Sequence, residues 1–161
     1  MSDLAQRVLN AAKARNWQIA TAESCTGGLV AGALTDIPGS SAVFDRGFVT
    51  YSYPAKVAML GVRQASLDAN GAVSQVVAEE MAQGALHSSL ADVTVAITGV
   101  AGPGGSDEKP EGLVHFAVAT RDGVTAQHVE FGPLGRAKVR AASVDHALQM
   151  LLTAITAEQS T

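Results

Sequence analysis

Apolar residues at Leu4, Val8, Leu9, Ala11 and Ala12 recur at helical spacing and predict a helix from Leu4 to Arg15, capped by Ser2 or Asp3. Trp17 to Ala22 reads as a short strand that runs into Glu23-Ser24-Cys25-Thr26-Gly27-Gly28, and an apolar helix follows over Leu29 to Leu34. Pro38-Gly39-Ser40-Ser41 is a turn, and the β-branched and aromatic run Phe48 to Ser52 is a strand. Pro54 suits the first position of a helix, which carries Lys56 on its opening turn. A short helix over Arg63 to Ala69 ends at the Asn70-Gly71 turn signal, and Ser74 caps a longer helix from Gln75 to Leu90. Val93 to Ile97 is continuously apolar, the pattern of a strand buried on both faces. Leu113 to Thr120 and Val124 to Phe131 form a hairpin across Arg121-Asp122-Gly123, and a last helix covers Arg136 to Ala157.

Helices alternate with strands early and a hairpin comes late. That order predicts a three-layer α/β/α sandwich over a mixed, mostly parallel sheet of about five strands with one antiparallel strand. No repeat, linker or low-complexity tract divides the 161 residues, so residues 1–161 are expected to form one domain.

Composition narrows the function classes. Hydrophobic residues make up 47% and charged residues 16%, too apolar for a disordered chain. A net charge of -4 gives no general attraction to nucleic acid or to an anionic membrane. No apolar run approaches the length of a bilayer span, and the polar opening Met-Ser-Asp-Leu-Ala-Gln-Arg lacks a signal-peptide pattern, so a cytoplasmic location is expected. The apolar content is compatible with a homo-oligomer. Cys25 is the only cysteine, which excludes an intrachain disulfide, and His87, His115, His128 and His146 show no metal-ligand spacing.

In open α/β sheets ligands gather at the carboxyl ends of the strands, and three such ends carry unusual residues. Ser24 precedes Thr26, Gly27 and Gly28 at a strand-to-helix turn, where backbone N–H groups can hold an anion or stabilise an oxyanion. Read alone, Ser24 or Thr26 is more often a helix cap. Tyr51-Ser52-Tyr53-Pro54-Ala55-Lys56 offers a lysine that could act as a general base, and serine–lysine pairs do replace serine–histidine ones. The bland alternative is an exposed lysine on an amphipathic helix. Thr98-Gly99-Val100-Ala101-Gly102-Pro103-Gly104-Gly105 follows the buried strand and lets backbone donors approach a phosphate, although it is neither a P-loop nor a dinucleotide fingerprint. Cys25 beside Ser24 is a rival nucleophile, but a lone small cysteine is more often packing. Asp107-Glu108-Lys109 reads as a solvated loop, and Arg136 and Arg140 share a face at the start of the last helix. From spacing alone, an enzyme and a non-catalytic nucleotide-binding module stand nearly level, and an interaction domain whose serine only caps a helix is the third possibility.

Taken together, several segments resemble the CinA C-terminal domain family: Thr21 to Gly28, Gly39-Ser40-Ser41, Arg46 to Ser52, Gly71 to Ser74, Gly99 to Gly105 and Lys109 to Gly112. The likeness covers nearly the whole chain. Free-standing members are nicotinamide-nucleotide amidohydrolases, which deamidate nicotinamide mononucleotide without a metal or other cofactor. The resemblance implies a mixed-sheet α/β/α fold, Ser24 as nucleophile, Lys56 as general base and Tyr51 as an assistant. It implies a small nucleotide as partner, held by Thr26, Gly27, Gly28, Thr98, Gly99, Ala101, Gly102, Pro103, Gly104 and Arg140. Two segments depart from the family pattern. Tyr53-Pro54 stands where Asn-Glu is common, and no aspartate precedes Arg136, whereas Arg140 falls where the family's second arginine does.

Overall fold

A computed structural model describes residues 3–106 and 108–157 of the chain. Five strands form one sheet in the order β2-β1-β3-β4-β5: β1 (Ile19–Glu23), β2 (Phe44–Val49), β3 (Val93–Gly99), β4 (Leu113–Thr120) and β5 (Gly123–Glu130). β1 pairs in parallel with β2 and β3, whereas β4 is antiparallel to both of its neighbours. β4 therefore runs against the other four strands, as the late hairpin predicts.

The two faces of the sheet differ in side-chain size. Ile19, Val93, Val95, Ile97, Val114, Phe116 and Val118 point to one face and pack on α1 (Asp3–Arg15), α2 (Leu29–Thr35) and the long α6 (Arg136–Thr156). The opposite face presents Ala22, Ala96, Ala117 and Ala119 to α3 (Tyr53–Leu60), α4 (Gln64–Asn70) and α5 (Gln75–His87). Small residues on that face let α5 lie close to the sheet, and Thr94 Oγ1 donates to Ala82 O of α5 at 2.7 Å.

That closeness has a measurable consequence. A Cβ on Gly84 of α5 would come within 1.8 Å of Leu60 O at the end of α3. Gly84→Ala is expected to destabilise the fold by about 3 kcal/mol, because backbone atoms must move to admit the methyl. Urea unfolding checks this, and an unshifted midpoint would show that α3 and α5 separate freely.

Element boundaries differ from expectation at informative places. β2 begins at Phe44 and ends at Val49, where a strand over Phe48 to Ser52 was expected. Asp45, Arg46 and Gly47 interrupt the apolar pattern, yet an edge strand half open to solvent tolerates them. Thr50 to Ser52 instead leave the sheet and enter the site. α5 stops at His87 rather than Leu90, because the chain beyond is captured by β2: Leu90 N–H donates to Asp45 Oδ2 and Ser88 O accepts from Arg46. Asp3 is the first residue of α1, and the alternative cap Ser2 lies outside the described residues. Among the described residues no helix is long and apolar enough to cross a membrane.

Candidate active site

β1 carries Ser24 to the carboxyl end of the sheet, where its N–H still bonds Ile97 O of β3 at 2.9 Å. The chain then turns sharply. Gly27 N–H closes onto Ser24 O at 3.0 Å, and Gly27 and Gly28 adopt φ of +58° and +104°. A side chain at either position would be strained, so the glycine pair is what lets the strand reverse into α2.

Glu23, overlooked in the sequence reading, governs this turn. Its fully buried carboxylate accepts N–H bonds from Gly28 at 3.2 Å, Val30 at 2.9 Å and Ala31 at 2.9 Å. It satisfies the first amides of α2, where the helix dipole favours negative charge. Gly28 is the N-cap and makes no side-chain cap, so Ser24 is not the cap of this helix. An acid just before a helix start was the available signal.

α3 delivers the second functional side chain. Ser52 caps it by accepting Ala55 N–H at 3.2 Å, Pro54 lies in the first turn, and Lys56 and Leu60 share its buried face. Lys56 is fully buried, and its Nζ lies 3.0 Å from Ser24 Oγ, 2.6 Å from Thr50 O and 3.3 Å from Tyr51 O. Burial lowers its pKa from 10.5 to about 8, the nearby Cys25 thiol acting in the other sense. Nζ donates to all three oxygens, and as a neutral amine it can give its two hydrogens to the carbonyls and turn its lone pair to the Ser24 hydroxyl. In that state the amine can take up the Ser24 proton. Cys25 differs: burial pushes its thiol up to about 11, so the thiolate that would attack is scarce at neutral pH.

Ser24, Lys56, Tyr51, Thr98 and Gly99 all line one cavity of about 510 Å³, a volume in the range of small-ligand sites. Thr98 Oγ1 donates to Ala72 O at 2.9 Å, which ties β3 to the turn before α5. Tyr51 contributes its carbonyl to Lys56, while its exposed hydroxyl accepts from Arg136 Nη2 at 2.9 Å.

The other expected binding residues are placed differently. Thr26 is fully buried, and Ala101 packs into the core. Gly102, Pro103 and Gly104 lie off the cavity wall, with Gly102 O held by Arg136 at 2.8 Å and Gly104 N–H by Glu111 at 2.7 Å. Arg140 donates to Cys25 O at 3.1 Å and Thr26 O at 3.4 Å, bracing the turn after Ser24. Lys109 is no solvated residue: it is half-buried, lines the cavity and bonds the carbonyls of Asn70 and Val73. Asp107 of the same loop lies outside the described residues. Among the described residues, no group of three His, Cys, Asp or Glu side chains could hold a metal ion.

The model of the CinA C-terminal domain family matches residues 1–155. The chain belongs to that family. This CinA domain is 51% identical to the nicotinamide-nucleotide amidohydrolase PncC of Escherichia coli K12, over 94% of the chain and 92% of the relative. It is 55% identical to the enzyme of the same name from Enterobacter agglomerans, over 76% of each. The crystal structure of competence/damage inducible protein CihA from Agrobacterium tumefaciens superposes with a TM-score of 0.92 at 52% identity, covering 96% of this chain and 94% of that one. Against the family pattern, Tyr53-Pro54 opens α3 without displacing Lys56 from Ser24. At the second departure, Arg136 links Tyr51 to the glycine loop.

Proposed function

We propose that this CinA domain hydrolyses the carboxamide of nicotinamide mononucleotide to nicotinic acid mononucleotide and ammonia, with Ser24 as nucleophile and Lys56 as its base. The carrying observation is the buried amine of Lys56 at 3.0 Å from Ser24 Oγ, and the names of the relatives support the substrate. Ser24 Oγ attacks the carboxamide carbon while its proton passes to Lys56 Nζ. Of the amides from Cys25 to Gly28, those of Gly27 and Gly28 already bond Ser24 O and Glu23 and Thr26 lies off the cavity wall, so the amide of Cys25, which lines the cavity, takes the oxyanion. Lys56 returns its proton to the departing nitrogen as the C–N bond breaks, and ammonia leaves an ester on Ser24. Water then attacks this ester, losing a proton to Lys56, which restores the Ser24 hydroxyl. Thr98 and Gly99, on the cavity wall, position the substrate, and Arg140 holds the turn that aims Ser24.

Ammonia release in chelator-treated buffer tests the reaction, with the nucleotide compared against its riboside. Binding energy from the phosphate can orient the distant amide, so the riboside is expected to be poorer by at least about 100-fold in kcat/KM. Equal values for the two would remove phosphate recognition from the proposal. Tight nucleotide binding with no ammonia would make the domain a nucleotide-binding module.

A further inference from the structure

Among the described residues, the cavity wall carries two lysines and no arginine, Lys56 and Lys109. Lys56 is committed to Ser24 and two carbonyls. Arg136 and Arg140, the two arginines of the neighbouring helix, are turned to Gly102 O and Tyr51 and to the carbonyls of Cys25 and Thr26. Lys109 Nζ donates to Asn70 O at 2.8 Å and to Val73 O, which fixes the ammonium at the turn between α4 and α5 and leaves a third N–H for a ligand. Beside it stands Gly71, at φ +73°, where a Cβ would touch both neighbouring polar groups. That Cβ would lie 3.6 Å from Lys109 Nζ and 3.7 Å from the Tyr53 hydroxyl, so the two polar groups flank the same glycine on the cavity wall. The Tyr53 hydroxyl accepts Ala72 N–H at 3.0 Å and keeps its own hydrogen to donate. Ser106 adds a hydroxyl to the same wall, and the acid on it, Asp68, accepts from Gln64 Nε2 at 2.9 Å.

We propose that Lys109, Tyr53 and Ser106 form an anion subsite that takes the substrate's phosphate monoester. The proposal rests on the nucleotide-amidase reading above and moves the phosphate away from Arg140. A monoester presents three acceptor oxygens and nearly two negative charges at neutral pH, which matches one fixed ammonium and two hydroxyl donors.

The test is the ratio of kcat/KM for nicotinamide mononucleotide to that for its riboside. Lys109→Met is expected to lower this ratio about 30-fold, and Lys109→Arg, which keeps the charge, to restore most of it. Inorganic phosphate should compete with the riboside in the wild type and lose that competition in Lys109→Met. A loss shared equally by both substrates, with the ratio kept, would make Lys109 a brace for the turn at 70–73 and overturn the subsite. Should Lys109→Met not fold, Ser106→Glu at an exposed position carries the same ratio test by repelling the phosphate. Absence of ammonia from either substrate in the wild type would instead sink the amidase reading. Titration of inorganic phosphate into wild type and Lys109→Met would then still read the subsite.

Discussion

Ser24→Ala is expected to abolish ammonia release, lowering kcat by at least about 10⁴-fold, the scale on which hydrolases lose activity with their nucleophile. The fold should survive. Ser24 Oγ caps no helix, because Glu23 already satisfies the amides of Gly28, Val30 and Ala31. The thermal midpoint is therefore expected to stay close to wild type, and nucleotide binding should persist. Cys25→Ala gives the contrast: its thiol, raised to about 11 by burial, takes no part in the scheme, so turnover should remain. Ammonia release retained in Ser24→Ala and lost in Cys25→Ala would transfer the nucleophile to the neighbouring residue.

Lys56→Met is expected to reduce kcat about 10³- to 10⁴-fold, since it removes a positioned base from the nucleophile. The proposed scheme works through the neutral amine, so kcat/KM should rise with pH through about 8 and then level. Residual activity in the variant should lack that rise.

Stability should carry the same signature. The folded state releases the Lys56 proton near pH 8, whereas the unfolded chain keeps it to 10.5. Between those values the unfolded state binds more protons, so stability rises with pH, and the cost of burying the ammonium is felt in full below pH 8. The span of the shift corresponds to about 3 kcal/mol. Urea unfolding at several pH values, taken as the difference between wild type and Lys56→Met, isolates it from the other titrating groups. A difference that stays flat from pH 7 to pH 10.5 would mean that Lys56 titrates as an exposed lysine does.

The resemblance paired Ser24 with Lys56, whereas spacing alone left Lys56 as an ordinary helix lysine. Residues 32 apart in sequence meet because β1 and β2 are parallel neighbours, and the chain leaving β2 passes beside the end of β1. Nothing local in either motif encodes that. Arg140 shows the converse: a cation at a helix start resembles a ligand group, and only the fold reveals its bonds to two carbonyls 115 and 114 residues away in the chain. Lys109 was hidden for a related reason. Its flanks, Glu108 and Pro110, are loop residues, and only the fold brings it to the carbonyls of Asn70 and Val73.

The sequence by itself determined the elements and their order. Helical periodicity, the apolar run at Val93 to Ile97 and the Asp-Gly hairpin are local signals, and they sufficed for a mixed sheet with one reversed strand. Tertiary structure alone decided protonation and partnership: which lysine is buried enough to be a base, which arginine is spent on the backbone, and which cation faces the cavity. Those properties depend on desolvation and on contacts between residues distant in sequence, and both arise only once the sheet has closed around them.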